Sequence, residues 1–271
     1  MQFLLPAQFV TTPGATEETW SEQDALRYTR WLARHHYENF HVVTFLLPRR
    51  LHQDFHNVYS FCRWADDLGD EIGDPQLRLR FLEWWRQELH AMYRGEARNP
   101  VFVALRRTVA RHSLPVEPFA DLLKAFVQDQ TVTRYQTYPQ LLDYCLYSAN
   151  PVGHLVLYLC GHRDAERCAL SDATCTALQL TNFWQDVVRD LDNGRVYLPL
   201  DEMAAHGYRL EDLEQRRFNK NFRELLRDLV NRAHMLFLQG LPLVERVDRR
   251  LAVDLELFSR GGLAILEKIR A

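Results

Sequence analysis

The chain contains 271 residues, enough for one large hydrophobic core or two small domains. Its 33 Lys and Arg residues nearly balance its 36 Asp and Glu residues, and the net charge of -3 gives no general electrostatic support for binding nucleic acid. The five cysteines form no CxxC motif, which favours reduced thiols in the core of a cytoplasmic protein. No apolar run approaches the roughly 20 residues that span a bilayer, and the N-terminus lacks the basic start of a signal peptide.

Helical patterns follow one another along most of the chain, although residues 1–18 are expected to be irregular. Apolar residues at spacings of three and four, separated by turn signals with proline, glycine or asparagine, predict the helices. These cover residues 22–37, 51–72, 76–93, 100–112, 118–135, 139–160, 171–191, 221–239, 242–258 and 262–270. Since no alternating strand pattern, repeat or linker is found, the sequence predicts one all-α domain over residues 1–271.

An acidic cluster interrupts the apolar helix predicted around residues 61–71, FCRWADDLGDE. Arg63, Asp66 and Asp70 follow one another at helical spacings and therefore form one stripe. Two carboxylates one turn apart repel each other unless a cation lies between them, and their hard oxygen atoms suit Mg²⁺. Mg²⁺ usually keeps positions for phosphate oxygens, which the Arg63 guanidinium is also suited to bind. A solvated acidic helix end explains a single cluster of this kind equally well.

A second pair of aspartates lies on another predicted helix, in the segment LQLTNFWQDVVRDLDNGRVYLP at residues 178–199. Asn182, Asp186 and Asp190 recur every four residues beside a separate apolar stripe. Four uncompensated carboxylates around the cavity of a helical bundle would be very costly in free energy. We therefore predict that the two helices meet around several Mg²⁺ ions and a diphosphate group. Two purely structural acidic faces are the less favoured interpretation.

Five segments of the sequence have counterparts, in the same order, in the squalene/phytoene synthase family of head-to-head prenyltransferases. The segments are HHYENFHVVTFLLPRR, NVYSFCRWADDLGDE, YCLYSANPVGHLV, LQLTNFWQDVVRDLDNGRVYLP and GGLAILEKI. The chain resembles this family over nearly its whole length, and HYENF, ANPVG and NFWQD are most similar to its bacterial hydroxysqualene synthase branch, HpnC. The resemblance implies an all-α, isoprenoid-synthase-type helical bundle around a central hydrophobic cavity, with Mg²⁺ at one end.

The resemblance also implies roles for residues of both aspartate-rich motifs. Asp66 and Asp70 of the first motif would bind Mg²⁺. Asp186 and Asp190 of the second motif would do the same, with Asn182 assisting them.

Further residues are expected to contact the substrate because of their positions in the family motifs. Arg63 would contact the diphosphate, and Tyr144 would line the reaction cavity. Phe40 would lie on the helix at the tunnel entry. Arg195 and Tyr197 would belong to a turn that closes over the site.

Two positions depart from the family pattern. Many relatives have arginine immediately before the first aspartate of the second motif, where this chain has Gln185. An amide cannot replace the forked contacts of a guanidinium with phosphate, although Gln185 remains a candidate for substrate contact. Residues 37–39 replace a serine-rich stretch of the relatives. This second change weakens the case for a second, accepting diphosphate.

The resemblance to the hydroxysqualene synthase branch implies conversion of presqualene diphosphate to hydroxysqualene, with diphosphate release and water capture, in bacterial squalene and hopanoid biosynthesis. Because the substrate is a lipid, we expect peripheral membrane contact, and other enzymes of the pathway are candidate partners. One alternative is condensation of two farnesyl diphosphates to presqualene diphosphate, squalene or dehydrosqualene. Another is a non-catalytic scaffold or assembly protein with the same fold.

Overall fold

The computed structural model describes residues 3–35 and 47–270, and within these ranges the regular structure is helical, as predicted. The α-helices are α1 (Pro6–Thr11), α2 (Glu22–His35), α3 (Arg49–Asp70), α4 (Pro75–Tyr93), α5 (Pro100–His112), α6 (Glu117–Gln128), α7 (Tyr138–Ser148), α8 (Asn150–Leu159), α9 (Ala165–Gln185), α10 (Val187–Asp192), α11 (Leu200–Ala205), α12 (Leu210–Glu214), α13 (Lys220–Gly240) and α14 (Arg249–Arg270). Short 3-10 helices lie at Ala15–Glu17 and Leu241–Arg246. None of the helices in the described part of the chain is both long and apolar enough to cross a membrane.

The first of two compact units comprises residues 1–130 and 155–162. Its core is built around aromatic side chains of α3, α4 and α5. The rings of Trp64 and Trp85 stack at 4.6 Å with planes 6° apart, and both side chains are fully buried. Phe102 packs on Trp85 at 4.3 Å. Burial of these rings fixes the apolar face of α3 and leaves its acidic stripe on a different face.

A buried hydrogen-bond network also holds α3 against α2 and α5. Asn57 of α3 accepts a hydrogen bond from Thr29 of α2 at 2.7 Å, and its amide donates to Thr108 of α5 at 3.0 Å. All three side chains are buried, and these hydrogen bonds offset the cost of removing their polar groups from water. The first aspartate pair therefore lies on a firmly held helix.

The second unit comprises residues 131–154 and 163–271, and α13 and α14 pack on α9 within it. Glycines allow these helices to approach closely. A Cβ atom at Gly240 would overlap Thr174 of α9, and one at Gly262 would overlap Phe237 of α13. This packing fixes α9, whose C-terminal end leads into the second aspartate motif.

Some helix boundaries differ from the predicted ones. Part of the N-terminal segment expected to be irregular forms α1, because Phe9 is buried against Trp64 with ring centroids 5.2 Å apart. The helix predicted over residues 139–160 is broken at Ala149. Pro151 lies in the first turn of α8, a position that tolerates proline better than a helix interior does.

Three further boundaries depend on contacts that are distant in the sequence or on capping. The helix predicted over residues 118–135 ends at Gln128, and the chain that follows it pairs with residues near Val196. α9 begins earlier than predicted because the Asp164 side chain caps it. The two helices predicted after residue 241 are a 3-10 helix followed by the continuous helix α14. That the two compact units form one domain remains a prediction.

Candidate functional site

The first aspartate pair lies near the C-terminal end of α3. Asp66 and Asp70 are one turn apart on this continuous helix, and both reach solvent. Between them, Asp67 is only 2% exposed. The Arg63 guanidinium, 13% exposed, pairs with Asp67 through Nη2 and lies 3.2 Å from Asp66 through Nη1. One cation thus compensates two adjacent carboxylates.

This arrangement gives Arg63 a defined position before any substrate binds. A guanidinium held by a buried carboxylate loses less conformational freedom when it contacts a phosphate group. The family motif predicts contact between Arg63 and the diphosphate, whereas the pairing of Arg63 with Asp67 is a finding of the structure. The four-residue spacing from Arg63 to Asp67 is the signal that indicates this pair.

The second aspartate pair lies where α9 ends and α10 begins. The backbone bends at Asp186, which has φ −99° and ψ 16°. Its N–H still donates to the Asn182 carbonyl at 2.9 Å, and the Asp190 N–H donates to the Asp186 carbonyl at 2.8 Å. The spacing of one turn is therefore kept across the break, although the predicted helix is not continuous. The Asn182 and Gln185 side chains are exposed at the end of α9.

Burial and the neighbouring Asp186 carboxylate raise the pKa of Asp190 to about 6, while the Arg195 and Arg189 cations act in the opposite direction. The turn after α10 holds Arg195 close, since its N–H donates to the Asp190 carbonyl at 2.8 Å. A carboxylate whose charged form is disfavoured by burial and by a like charge gains from a bound cation. The donor chemistry of Asp186 and Asp190 therefore fits Mg²⁺.

Four buried aromatic rings pack together in the same unit as this second pair. They belong to Tyr135, Tyr144, Phe183 and Tyr197. Tyr197 stacks on Phe183 at 3.9 Å with planes 9° apart, and it lies 6.2 Å from Tyr144. The structure thus brings together Tyr144 and Tyr197, which the sequence named separately. The sequence places Phe183 only on the apolar stripe beside the second aspartate pair, and it places Tyr135 inside the helix predicted over residues 118–135. Neither residue is therefore predicted as a member of the cluster.

Two parts of the predicted site, the residue at the tunnel entry and the shared metal cluster, are not tested by the contacts described above. Phe40 is outside the described residues. Across residues 3–35 and 47–270, no group of three or more His, Cys, Asp and Glu side chains is arranged to hold a metal ion. Each aspartate pair supplies two carboxylates, and the convergence of the pairs on a shared Mg²⁺ cluster stays a prediction.

Comparison with known proteins identifies the family. A family model described as squalene/phytoene synthase matches residues 33–271. A hydroxysqualene synthase of Rhodopseudomonas palustris is 35% identical over 226 residues, covering 82% of this chain and 76% of the relative. A phytoene synthase of Thermus thermophilus is 32% identical over 240 residues, covering 88% of this chain and 80% of the relative.

Solved structures agree with the sequence relatives. The crystal structure of the squalene synthase HpnC from Alicyclobacillus acidocaldarius is 46% identical with a TM-score of 0.88, covering 92% of this chain and 94% of that chain. This likeness confirms the predicted isoprenoid-synthase-type fold. The chain is therefore a prenyl diphosphate enzyme and belongs to the squalene/phytoene synthase family.

Proposed function

We propose that this enzyme converts presqualene diphosphate to hydroxysqualene. The observation that supports this most strongly is the 35% identity with the hydroxysqualene synthase of R. palustris, which covers 82% of this chain and favours the alcohol as the product. Bacterial squalene and hopanoid biosynthesis is the proposed setting.

In the proposed reaction, the C–O bond between the cyclopropylcarbinyl carbon and the diphosphate breaks, and its electron pair leaves with the diphosphate. The resulting cation rearranges. A water oxygen then forms a new C–O bond and releases one proton. The sum converts presqualene diphosphate and water to hydroxysqualene and diphosphate, so no reductant is consumed.

The proposed Mg²⁺ ligands are Asp66 and Asp70 in one unit and Asp186 and Asp190 in the other, with Asn182 assisting the second pair. Their carboxylate oxygens are the donors that this ion prefers. The Asp190 pKa of about 6 supports the assignment, because a bound cation would favour the charged carboxylate. When bound, Mg²⁺ supplies positive charge that stabilises the leaving diphosphate.

Arginine side chains would complement the ion at both motifs. Arg63 lies 3.2 Å from Asp66, so its charge is already close to a proposed ligand. Arg195 is electrostatically coupled to Asp190 in the second motif. Both would favour charge that grows on the leaving group in the transition state. Gln185 offers only a neutral amide for the same group.

The aromatic cluster would form part of the cavity wall. Ring faces of Tyr144, Phe183 and Tyr197 that border the cavity would stabilise a nearby cation by about 0.5–2 kcal/mol each. Phe40 would add a further ring at the cavity entry. A water-excluding wall also gives the cation time to rearrange before a nucleophile reaches it.

Condensation of two farnesyl diphosphates is a second candidate, which the likeness to a squalene synthase and a phytoene synthase favours. Purified enzyme is incubated with Mg²⁺ and either presqualene or farnesyl diphosphate, with and without NADPH, and the lipid products are identified by mass spectrometry. We expect hydroxysqualene from presqualene diphosphate at the same rate with and without NADPH. Presqualene diphosphate or squalene formed from farnesyl diphosphate alone would refute the assignment.

A further inference from the structure

We propose that Tyr135 is a positioning residue that fixes the Tyr197 ring and thereby controls the proportions of the lipid products. Tyr135 lies in a strap, residues 133–136, between α6 and α7. The inference rests on the proposed function, because it takes the rings of Tyr144, Phe183 and Tyr197 as the wall beside the reacting cation. Tyr135 itself is 1% exposed and acts through its neighbours.

Backbone hydrogen bonds tie the strap to the chain on both sides of Tyr197. The Val196 N–H donates to the Thr133 carbonyl at 2.9 Å. The Leu200 N–H donates to the Tyr135 carbonyl at 3.0 Å. Because these bonds bracket Tyr197, its backbone is held in a fixed register with the strap.

The Arg134 side chain extends this attachment toward the second aspartate motif. Its Nη1 donates to the Gly194 carbonyl at 2.6 Å. Gly194 has φ +76°, a conformation that favours glycine, in the turn that brings the Arg195 N–H to the Asp190 carbonyl. The strap therefore contacts both the turn beside Asp190 and the segment that carries the aromatic wall.

The Tyr135 ring completes the attachment through side-chain packing. It lies 5.7 Å from the Tyr197 ring, with planes 23° apart, and 5.6 Å from the Tyr144 ring. Without it, both rings lose a neighbour that restricts their movement. Small shifts of an aromatic face change where positive charge is stabilised and when water reaches the cation. The distribution of products should therefore depend on Tyr135.

Simple core packing is the competing explanation, and a matched control distinguishes it. Tyr208 lies in the same unit, is also 1% exposed and packs on Phe222 at 5.2 Å, outside the aromatic cluster. Tyr135→Leu and Tyr208→Leu each remove one buried ring. Tyr135→Phe keeps the ring and removes only the hydroxyl.

The experiment measures stability, kcat, KM and the fractions of all lipid products, using whichever of presqualene or farnesyl diphosphate the unaltered enzyme consumes. That first comparison tests the proposed function separately from the role of Tyr135. For Tyr135→Leu we expect about a tenfold lower kcat, KM within about twofold, and at least a threefold rise in minor products. Tyr135→Phe should restore the normal product ratio, and Tyr208→Leu should lose stability without altering the ratio.

Product fractions in Tyr135→Leu equal to those of the unaltered enzyme would overturn the proposal, and so would an equal change in Tyr208→Leu. If Tyr135→Leu does not fold, Arg134→Met replaces it, since Arg134 is only partly buried. Loss of its bond to Gly194 should loosen the same attachment and raise the minor products at least twofold. An unchanged ratio in that folded variant would equally overturn the proposal.

Discussion

Asp67 pairs with Arg63, which lies one turn earlier on α3, and the Asp67 side chain is only 2% exposed. The same guanidinium lies 3.2 Å from Asp66, which is 37% exposed. The buried Asp67 carboxylate therefore holds the Arg63 guanidinium beside the more exposed Asp66 carboxylate. This arrangement separates a residue that positions Arg63 from the neighbouring residue that we propose as a metal ligand.

Replacing Asp67 tests this separation. Asp67→Asn removes the buried negative charge that faces Arg63, and breaking a buried ion pair costs about 3–5 kcal/mol. We expect the free energy of unfolding, measured with urea, to fall by about 3 kcal/mol. KM for the diphosphate substrate should rise more than kcat falls, because a less ordered guanidinium weakens binding.

Glu83→Gln provides the matched control, since Glu83 pairs with Arg86 at 2.8 Å on the exposed surface of α4. Exposed pairs contribute less than about 1 kcal/mol, so this variant should lose little stability and no activity. Equal stability losses in the two variants would show that burial of Asp67 has no special importance.

The sequence predicts the helical class and both aspartate pairs because each depends on spacing within a few turns of one helix. It could not predict the ring contact between Tyr135 and Tyr197, whose residues are far apart in the chain and outside any common periodic pattern. Hydrogen bonds between distant segments, such as the one from Val196 to Thr133, decide that arrangement. The predicted helix through residue 135 was wrong for this reason.

Gly261 and Gly262 also show that local sequence patterns do not always predict where a helix ends. The sequence predicts separate helices over residues 242–258 and 262–270, yet α14 runs through both glycines. A Cβ atom at Gly262 would overlap Phe237, whereas one at Gly261 would meet nothing within 4 Å. Close packing against α13 therefore requires glycine at Gly262 and not at Gly261.

Alanine at each position tests this difference directly. Gly262→Ala should lower the free energy of unfolding by about 1–3 kcal/mol, because the new methyl group forces Phe237 to shift. Gly261→Ala should raise it by about 0.5–1 kcal/mol, because alanine favours the helix and fits without contact. Thermal or urea unfolding measures both values. The same sign in the two variants would contradict the packing of α13 on α14.

The lowered pKa of His56 leads us to expect a specific pH dependence of the stability of the folded protein. Burial, followed by the cations of Arg30, Arg34 and His52, lowers its pKa from 6.5 to about 4. Between these pH values the unfolded chain binds a proton that the folded chain does not. The contribution of neutral His56 to the free energy of unfolding is therefore complete above pH 6.5, and it is lost as the pH falls toward 4. Because His56 is only partly buried, solvent screening reduces the full value of about 1.4 kcal/mol per pKa unit, and the loss is on the order of 1–2 kcal/mol.

Urea unfolding of His56→Gln between pH 7 and pH 4 measures this contribution, since glutamine does not titrate. We expect a flatter stability profile than that of the unaltered protein over this range. If His56→Gln keeps the slope of the unaltered protein, other groups cause the acid sensitivity.

The second aspartate motif gives the most direct test of the proposed metal chemistry. Asp186→Asn and Asp190→Asn each remove one anionic oxygen ligand while preserving the shape of the side chain. We therefore expect kcat to fall by about 100-fold or more and the Mg²⁺ concentration for half activity to rise.

Asp192→Asn is the matched control, because Asp192 is also on α10 but pairs with Arg216 at the surface. It should retain nearly full activity. Kinetics over a range of Mg²⁺ concentrations, together with unfolding curves, separate lost metal affinity from lost folding. Full activity in both Asp186→Asn and Asp190→Asn would overturn their assignment as Mg²⁺ ligands, and equal loss in all three variants would point to general damage to α10.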